Sequence, residues 1–311
     1  MTDVLHLKAA IGSYPHVQAL RDGRVRPAGV WLDLVDITPI GEIFKRMCRG
    51  LEFDVAEMSI TGYLLARVYD KGFTALPVFP VRAFPQSHAG IAVNVEAGVR
   101  EPADLEGKRV GSRAYTGTAG LWVRGVLTGE YEVDLDAITW VAAEEEHVLE
   151  YQADAPPNVV YALDADLAQM LLNGQIAAGI GLNVEAARVQ PLIPEARRAA
   201  AEYCRRTGIY QINHTIVVRD SLLEQHPWLA ASLVAAFELA KRFWLDSISS
   251  VPSVSAVPAL VEELALPAND PLPYGIAANR PSLGALLLFA HEQRILPRPY
   301  AVEELFPYQD G

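Results

Sequence analysis

The stretch Leu76-Pro77-Val78-Phe79-Pro80-Val81-Arg82-Ala83-Phe84-Pro85-Gln86-Ser87-His88 connects two strand-like parts of the chain. Its prolines exclude a helix and any central strand, because proline lacks the backbone N–H that both structures use. We therefore predict an extended, stiff segment. It presents a guanidinium, two phenylalanine rings, a serine and a histidine, and this combination suits a flat anionic ligand such as an aromatic carboxylate. The alternative interpretation is a proline-rich connection whose arginine is solvated.

The residues before this stretch alternate between two kinds of hydrophobic pattern. Strand patterns at 5–11, 30–35 and 53–58 alternate with helical patterns at 40–49 and 61–69. This order is typical of a parallel sheet covered by helices. The first part of the chain is therefore predicted to be an α/β unit.

A second α/β unit follows, and a mostly helical region begins at residue 220. The further strand patterns lie at 90–94, 108–112, 138–142, 176–180 and 207–218. We predict a first lobe made of residues 1–88 plus 216–311, which includes the C-terminal helices, and a second lobe made of residues 89–215. Extended crossings near 84–94 and 210–218 would form the hinge. A ligand is then expected in the cleft between the lobes, the usual place for a site at a domain interface.

A small-residue turn in the second lobe is a further candidate for ligand binding. The sequence Tyr115-Thr116-Gly117-Thr118-Ala119-Gly120 follows a strand pattern and opens a helical one. Such a turn directs backbone N–H groups and the positive end of a helix dipole toward a ligand. Hydroxyl groups of Ser112, Tyr115, Thr116 and Thr118 add donors there. The alternative is an ordinary helix cap, since neither a GxGxxG nor a Walker pattern is present.

Charge and composition exclude several classes of protein. The chain has 311 residues, a net charge of −12 and 51% hydrophobic residues, which argues against nucleic acid or an anionic membrane as a partner. Cys48 and Cys204 stand alone without metal-site spacing, so we expect neither a disulfide framework nor a zinc site, and we name no metal ligands; the sequence leaves open whether the activity needs a metal. The N-terminal residues lack the pattern of a secretory signal, and no apolar run reaches about 18 residues. We therefore expect a cytoplasmic protein.

Several phrases of the sequence resemble the 4,5-dihydroxyphthalate decarboxylase family. They include Pro77-Val78-Phe79-Pro80 with Arg82-Ala83-Phe84, Pro273-Tyr274-Gly275 with Asn279-Arg280-Pro281, and His214-Thr215. A more widely shared phrase is the run from Glu101 to Gly111, which supports the fold more than the chemistry. The resemblance implies the two-lobed fold of type II periplasmic binding proteins and a cofactor-independent decarboxylation of a hydroxylated aromatic dicarboxylate in phthalate degradation. It also adds Tyr274 to the substrate-binding candidates.

The sequence departs from the family pattern mainly in the second lobe and on the expected cleft side. Where the family has Ser-Arg-Ala-Phe-Arg-His-Ser, this chain has Val81 before Arg82 and Pro85-Gln86 before Ser87. Arg113-Ala114 stands where Pro-Glu precedes the tyrosine. Other functions on the same scaffold therefore stay open: a cytoplasmic or exported binding or sensor protein for a small carboxylate, or another lyase or dehydratase. The sequence also leaves open whether the protein is a homo-oligomer.

The chemistry of a decarboxylase selects candidates for proton transfer. A proton must reach the ring carbon that carries the departing carboxyl group while a para hydroxyl group supplies electrons, and a free phenol has a pKa near 10. His214 is the first candidate for the proton-transfer residue, since a free histidine titrates near neutrality. Glu57, in a strand pattern of the first lobe, is the second. The alternatives are a hydrogen-bonding strand histidine and a carboxylate that caps the next helix.

The negative charge of the departing carboxylate disappears as CO2 forms, and this gives Arg82 a different role. An arginine on the departing carboxylate would stabilise the ground state, whereas catalysis needs interactions that are stronger in the transition state. Arg82 should therefore hold a carboxylate that remains, while Phe79, Phe84 or Trp122 provides apolar surface for the departing one. This interpretation predicts a diacid substrate. Arg124 or Arg113 is a second possible anchor, and Arg124 is alternatively solvated. Ser87 and His88 complete the substrate-binding candidates.

Overall fold

The structure, a computed structural model, describes residues 4–249, 257–266 and 270–308. Its strands are β1 (Leu5–Ala10), β2 (Val30–Leu34), β3 (Val55–Ser59), β4 (Phe73–Arg82), β5 (Ile91–Asn94), β6 (Arg109–Ser112), β7 (Thr139–Ala142), β8 (Val159–Tyr161), β9 (Ala178–Ile180), β10 (Val189–Pro191) and β11 (Ile212–Arg219). Its α-helices are α1 (Gln18–Arg21), α2 (Gly41–Gly50), α3 (Ile60–Val68), α4 (Gln86–Ala89), α5 (Thr118–Tyr131), α6 (Tyr151–Asp154), α7 (Leu167–Leu172), α8 (Ala196–Thr207), α9 (Asp220–Gln225), α10 (Leu229–Ser249), α11 (Val257–Leu264), α12 (Ile276–Glu292) and α13 (Val302–Leu305).

The chain divides into two compact units. Unit 1 comprises Met1–Arg82, His214–Arg280 and Ala301–Gly311, and unit 2 comprises Ala83–Asn213 and Pro281–Tyr300. The predicted division ran at residues 88/89 and 215/216. The structure differs from it chiefly at the C-terminal end, because residues 281–300 belong to unit 2 rather than to the first lobe.

Side-chain contacts of α12 explain why residues 281–300 join unit 2. The Phe289 ring lies edge-on to Trp122 of α5, with ring centroids 6.0 Å apart. A Cβ atom at Gly125 of α5 would lie 2.2 Å from the Phe289 ring, so only glycine permits this close approach. Gln293 accepts a hydrogen bond from Arg124 Nε at 2.7 Å and donates one to the Leu121 carbonyl at 3.0 Å. These contacts attach the second half of α12 to α5.

Unit 1 is built on a five-stranded sheet with the order β2-β1-β3-β11-β4. Strand β1 pairs in parallel with β2 and β3, and β11 pairs antiparallel with β3. All residues of β3 are buried, as expected for a strand covered on both faces. Strand β4 contains Pro77 and Pro80 and lies at the edge of the sheet, where the missing N–H groups break no ladder. The exclusion of this segment from the sheet centre is confirmed.

The extended conformation of the opening stretch ends earlier than predicted. Strand β4 ends at Arg82, and the one-turn helix α4 follows Pro85. Proline is tolerated at the start of a helix because the first N–H groups have no partner within it. Phe84 therefore belongs to a turn, whereas Ser87 and His88 lie in a helix rather than in an extended crossing.

Unit 2 is built on a six-stranded sheet with the order β10-β5-β9-β6-β7-β8. Strand β6 pairs in parallel with β7 and β9, and β7 pairs in parallel with β8, whereas β5 is antiparallel to both β9 and β10. Helix α5 is buried along most of its length against this sheet. Within the described residues, no helix combines the length and the apolar composition needed to cross a membrane.

Candidate functional site

Glu57 is the centre of a polar cluster in unit 1. Its side chain is fully buried on β3. The carboxyl group accepts hydrogen bonds from the Gly12 N–H at 2.8 Å and the Tyr14 hydroxyl at 2.9 Å, and it contacts Nδ1 of His214 at 2.5 Å. Three donors directed at one buried carboxyl group are the arrangement that an ionised carboxylate requires.

The sheet register explains how these residues meet. Glu57 lies opposite Ile216 in the antiparallel β3–β11 pair, and His214 lies opposite Ser59. Glu57 and His214 are therefore diagonal neighbours on the same face, within reach of long side chains. On the other side of β3, Ala10 of β1 is paired with Ala56, which brings the residues after β1 alongside Glu57. The cluster thus lies at the carboxyl ends of parallel strands, the usual location of sites in α/β sheets.

His214 has one nitrogen engaged and one available. Nδ1 faces Glu57, so it carries the proton if Glu57 is a carboxylate. Phe44 packs edge-on against the imidazole with ring centroids 5.0 Å apart, which fixes the plane of the ring. Within the described residues, the side-chain hydrogen bond of His214 is made by Nδ1 and none is found at Nε2, and the side chain keeps 10% of its surface exposed. The arrangement can hold a proton at Nε2 while Glu57 balances the charge on the imidazole.

Tyr14 and Gly12 are members of this cluster that the sequence analysis did not select. Burial and the adjacent Glu57 carboxylate raise the pKa of the Tyr14 hydroxyl, so this group remains a hydrogen-bond donor. A Cβ atom at Gly12 would lie 2.6 Å from the Tyr14 hydroxyl oxygen, and glycine therefore leaves room for the Tyr14 ring. The signal that was available in the sequence is the polar run Gly12-Ser13-Tyr14 directly after a strand.

Arg82 and Tyr274, two predicted substrate-binding residues, lie in one part of unit 1. Arg82 is buried at the end of β4, where it donates to the Pro273 carbonyl and lies 5.8 Å from the centre of the Phe79 ring. Asn279 donates to the same carbonyl at 2.9 Å, and the Gly275 N–H donates to the Pro77 carbonyl at 2.8 Å. Arg82 therefore supports the loop that carries Tyr274, in addition to any role toward a ligand.

Tyr274 carries a buried hydroxyl group on which the charge of Glu57 acts. Within the described residues, this hydroxyl has no hydrogen-bond partner. Its ring packs against the Lys241 ammonium group at 4.0 Å, and Lys241 is itself held by Asp270 at 2.7 Å. Burial, together with the negative charges of Glu238, Asp270 and Glu57, raises the pKa of the Tyr274 hydroxyl.

The small-residue turn of unit 2 is occupied by a carboxyl group of the protein itself. Glu146 is fully buried and accepts from the N–H groups of Tyr115 and Thr116 at 2.9 and 3.2 Å, from the Thr116 hydroxyl, and from the Tyr161 hydroxyl at 3.0 Å. Burial raises the pKa of Glu146, and these hydrogen bonds oppose that shift. The expectation that the N–H groups of this turn are free for a ligand is therefore wrong for residues 115 and 116. The Ser112 hydroxyl donates to the Ala114 carbonyl, and Thr118 begins α5.

Arg124 is not the solvated or ligand-facing side chain that was predicted. It is fully buried in unit 2, where its Nη2 donates to the Tyr115 carbonyl at 2.6 Å and its guanidinium group lies 4.1 Å from the centre of the Tyr115 ring. Burial lowers the pKa of Arg124. Tyr115 is itself buried and donates its hydroxyl hydrogen to the Gln293 carbonyl at 3.1 Å. Arg113 is exposed, with Glu144 at 3.9 Å. Arg124 and Tyr115 thus stabilise the interior of unit 2.

The other substrate-binding candidates also pack within unit 2. Trp122 is fully buried and has no exposed surface, and it donates its indole N–H to the Ile212 carbonyl at 2.8 Å. The Ser87 hydroxyl lies 3.0 Å from Nδ1 of His88, and the His88 ring contacts Tyr203. Burial lowers the pKa of His88 to about 4. Phe84 is half-buried, and the Arg197 guanidinium group lies over its ring at 5.2 Å.

The described part of the chain contains no group of three or more His, Cys, Asp or Glu side chains arranged to hold a metal ion. Cys48 and Cys204 are both buried.

The amino-acid sequence is similar to those of two proteins of known activity. The sequence is 32% identical over 320 residues to a 4,5-dihydroxyphthalate decarboxylase of Comamonas testosteroni, and the match covers 97% of this chain and 96% of the relative. The chain belongs to the 4,5-dihydroxyphthalate decarboxylase family. A second member of that name, from Pseudomonas putida, is 34% identical over 57% of this chain and 70% of its own length. The family model described as NMT1/THI5 like matches residues 67–247 of this 4,5-dihydroxyphthalate decarboxylase family member.

Solved structures confirm the predicted fold of this decarboxylase-family chain. The periplasmic aliphatic sulphonate binding protein SsuA of Escherichia coli superposes with a TM-score of 0.57 at 13% identity, covering 98% of this chain and 92% of that one. The desulfurization enzyme DSZB superposes with a TM-score of 0.54 at 16% identity and covers 96% of both chains. At these identities the similarity shows the fold alone, which is the α/β fold of type II periplasmic binding proteins.

Proposed function

We propose that this chain is a carboxy-lyase that removes CO2 from a hydroxylated aromatic dicarboxylate of the 4,5-dihydroxyphthalate type, in the degradation of phthalates. The observation that carries the proposal is the similarity along nearly the whole chain to a relative named for this activity. The buried Glu57–His214 pair supplies a group suited to the proton transfer that the reaction needs.

The proposed reaction replaces a carboxyl group on the ring by hydrogen. The ring carbon that carries the departing carboxylate accepts a proton while a para oxygen supplies electrons. The bond to the carboxyl carbon then breaks, CO2 leaves, and the electron pair of that bond restores the aromatic ring. The balance is one proton consumed and one CO2 released for each substrate molecule, and the proton donor is recharged from solvent.

In this proposal His214 delivers the proton to the ring carbon. Within the described residues its Nε2 makes no hydrogen bond, whereas Nδ1 is held by Glu57 at 2.5 Å. Glu57 orients the imidazole and balances its positive charge before the transfer, and Tyr14 and the Gly12 N–H hold Glu57 in place. This is the logic of a proton-transfer residue that is positioned by a buried carboxylate.

Arg82 holds the carboxylate that remains on the ring. A guanidinium group suits this role because its parallel N–H donors match a carboxylate, and one of its nitrogens already anchors the side chain to the Pro273 carbonyl. The Phe79 ring beside Arg82 provides apolar surface, which favours the loss of charge from the departing carboxylate. The roles of Phe84, Ser87, His88, Ser112, Tyr115, Thr118 and Trp122 toward a substrate stay predictions.

The test is to incubate the purified protein with 4,5-dihydroxyphthalate while CO2 release and thermal stability are followed together. Release of one CO2 per molecule of diacid, with the dihydroxy monoacid as product, supports the proposal. Phthalate serves as a control because it lacks the hydroxyl group that supplies electrons. A thermal shift without CO2 release from any hydroxylated diacid would overturn the enzymatic proposal in favour of a binding or sensor protein.

A further inference from the structure

His16 is a buried histidine of unit 1 that the proposed mechanism does not use. It lies in the one-turn 3₁₀ helix Pro15–Val17 after β1 and is only 6% exposed. Its ring stacks on Tyr14, with centroids 5.3 Å apart and planes 3° from parallel, and the Trp244 ring packs against it edge-on. Aromatic contacts on two sides fix the orientation of this imidazole.

The two nitrogens of His16 have different partners. The Pro80 carbonyl favours a protonated ring nitrogen, whereas Nε2 is buried and has no partner within the described residues. We therefore assign the proton of the neutral ring to Nδ1. Burial lowers the pKa of His16 to about 4, so the ring is neutral at pH 7. A neutral imidazole that carries its proton on Nδ1 presents a lone pair at Nε2, and this atom is an unsatisfied acceptor.

A buried acceptor without a partner requires an explanation, because such groups are rare and destabilise the folded protein. Tyr274 provides a second observation of the same kind, since its buried hydroxyl also lacks a partner within the described residues. The electrostatic fields of Glu57 and Lys241 both act on His16, and Glu57 also acts on Tyr274. Lys241 contacts the Tyr274 ring directly. Two unsatisfied polar groups thus lie within the electrostatic influence of Glu57, and the ring of one of them stacks on Tyr14 of the cluster.

The chemistry of Nε2 decides which ligand group it accepts. A carboxylate oxygen would place lone pair against lone pair and would be repelled by the nearby Glu57 charge. A neutral hydroxyl group donates a hydrogen bond and carries no charge. We infer that Nε2 of His16 accepts a hydrogen bond from a ring hydroxyl of the substrate and thereby selects hydroxylated aromatic acids over their unhydroxylated analogues.

This inference rests on the proposed function and adds to it the residue that determines specificity. A site built around a hydroxyl donor discriminates strongly against a ligand without it, because the buried acceptor then stays unsatisfied. The inference concerns binding and holds whether or not the bound ligand is turned over. It can therefore fail independently of the proposed reaction.

The test compares two ligands with two variants by isothermal titration calorimetry, in a His214→Asn background so that the diacid is not consumed during the titration. The protein that keeps His16 should bind 4,5-dihydroxyphthalate about 10–100-fold more tightly than phthalate, the range expected for one hydrogen bond to a buried group. His16→Phe keeps the stacking ring and removes the acceptor, so it should lose most of this preference by weakening dihydroxyphthalate binding alone. His6→Phe is the matched control, because His6 is an exposed histidine of the same unit.

A spectroscopic measurement on His214→Asn protein with His16 intact covers the case in which His16→Phe does not fold. With ¹⁵N-labelled histidine, the Nε2 resonance of His16 should shift on addition of 4,5-dihydroxyphthalate and stay in place on addition of phthalate. An equal loss of affinity for both ligands in His16→Phe would overturn the inference, and so would an unmoved resonance. Selective binding that depends on His16, without CO2 release by the wild-type protein, would support the inference and refute the proposed decarboxylation.

Discussion

The substitution Glu57→Gln tests the polar cluster in unit 1, because the Glu57 carboxyl group contacts each of its other members. Oε2 of Glu57 accepts from the Gly12 N–H, whereas Oε1 faces both the Tyr14 hydroxyl and Nδ1 of His214. A glutamine of the same shape fits only with its carbonyl oxygen toward Gly12, since the backbone N–H is always a donor. Its NH2 group then faces Tyr14 and His214, and both can become acceptors.

The consequence is a change in the tautomer of His214. In the wild-type protein Nδ1 carries the proton toward the carboxylate, whereas in Glu57→Gln the amide donates to Nδ1 and the proton moves to Nε2. The neutral imidazole also loses the adjacent negative charge that balances its protonated form. We therefore expect turnover to fall by roughly 10²–10⁴, the usual contribution of a positioned acid or base.

The stability of Glu57→Gln should change much less than its activity. Each of the three hydrogen bonds changes from a charge-assisted to a neutral one, at about 1 kcal/mol per bond, and the lower desolvation cost of an amide offsets part of this loss. The net decrease in the free energy of unfolding is expected to be about 1–3 kcal/mol. Glu42→Gln on α2 is the matched control, because Glu42 is 45% exposed and should change neither quantity.

The assay combines ¹⁵N–¹H correlation spectra of the histidine rings with urea unfolding and the rate of CO2 release. We expect His214 of the folded variant to give the spectrum of the Nε2–H tautomer. A folded Glu57→Gln that keeps the Nδ1–H tautomer and full turnover would refute the assignment of Glu57 as the residue that positions His214.

Three further predictions use other parts of the molecule. Arg82→Ala should weaken the binding of a phthalate-type diacid by roughly 1.5–3 kcal/mol. It should also lower the melting temperature, because Arg82 donates to the Pro273 carbonyl. Unchanged affinity in calorimetry would contradict the proposed binding of a carboxylate by Arg82. Glu146→Gln should lower the free energy of unfolding by roughly 2–4 kcal/mol, more than Glu57→Gln. Each carboxyl oxygen of Glu146 faces a backbone N–H, so no orientation of the amide avoids a donor–donor contact. An equal or smaller loss of stability in urea unfolding would count against this. His88 has a pKa of about 4 in the folded protein against the ordinary 6.5, so the unfolded state binds more protons between these two pH values. The free energy of unfolding should therefore fall as the pH drops from 6.5 to 4, and His88→Leu should reduce that fall by about 2 kcal/mol. An unchanged slope of the unfolding free energy against pH in His88→Leu would disprove this prediction.

The order of strands and helices followed from local patterns in the sequence. The prolines of β4 predicted that it is not a central strand, and the alternation before residue 80 predicted the parallel strands of unit 1. Glu57 and His214 were selected separately from their residue types, and the register of β3 and β11 brings them together. A contact between residues 157 positions apart depends on strand pairing, which local patterns do not specify.

The errors concern features that tertiary contacts decide. Residues 281–300 join unit 2 because Phe289 and Gln293 pack on α5. Helical periodicity predicts which face of a helix is buried, but it does not predict which element that face packs against. Glu146 belongs to an acidic run that is typical of a solvated surface, yet it is fully buried under the turn at residues 115–116. Arg124 was assigned to a ligand or to solvent because burial of an arginine depends on partners such as Gln293 that are remote in sequence.

In the proposed mechanism, His214 protonates a ring carbon of a hydroxylated aromatic diacid as CO2 departs. The most direct measurement is single-turnover decarboxylation of 4,5-dihydroxyphthalate in D2O by wild-type protein and by His214→Asn, with deuterium at the vacated ring carbon followed by NMR. We expect one deuterium per product in the wild type and a rate that is about 10²–10⁴ lower in His214→Asn, with the affinity for the diacid largely retained. Wild-type rates of CO2 release and of deuterium incorporation in His214→Asn would contradict it.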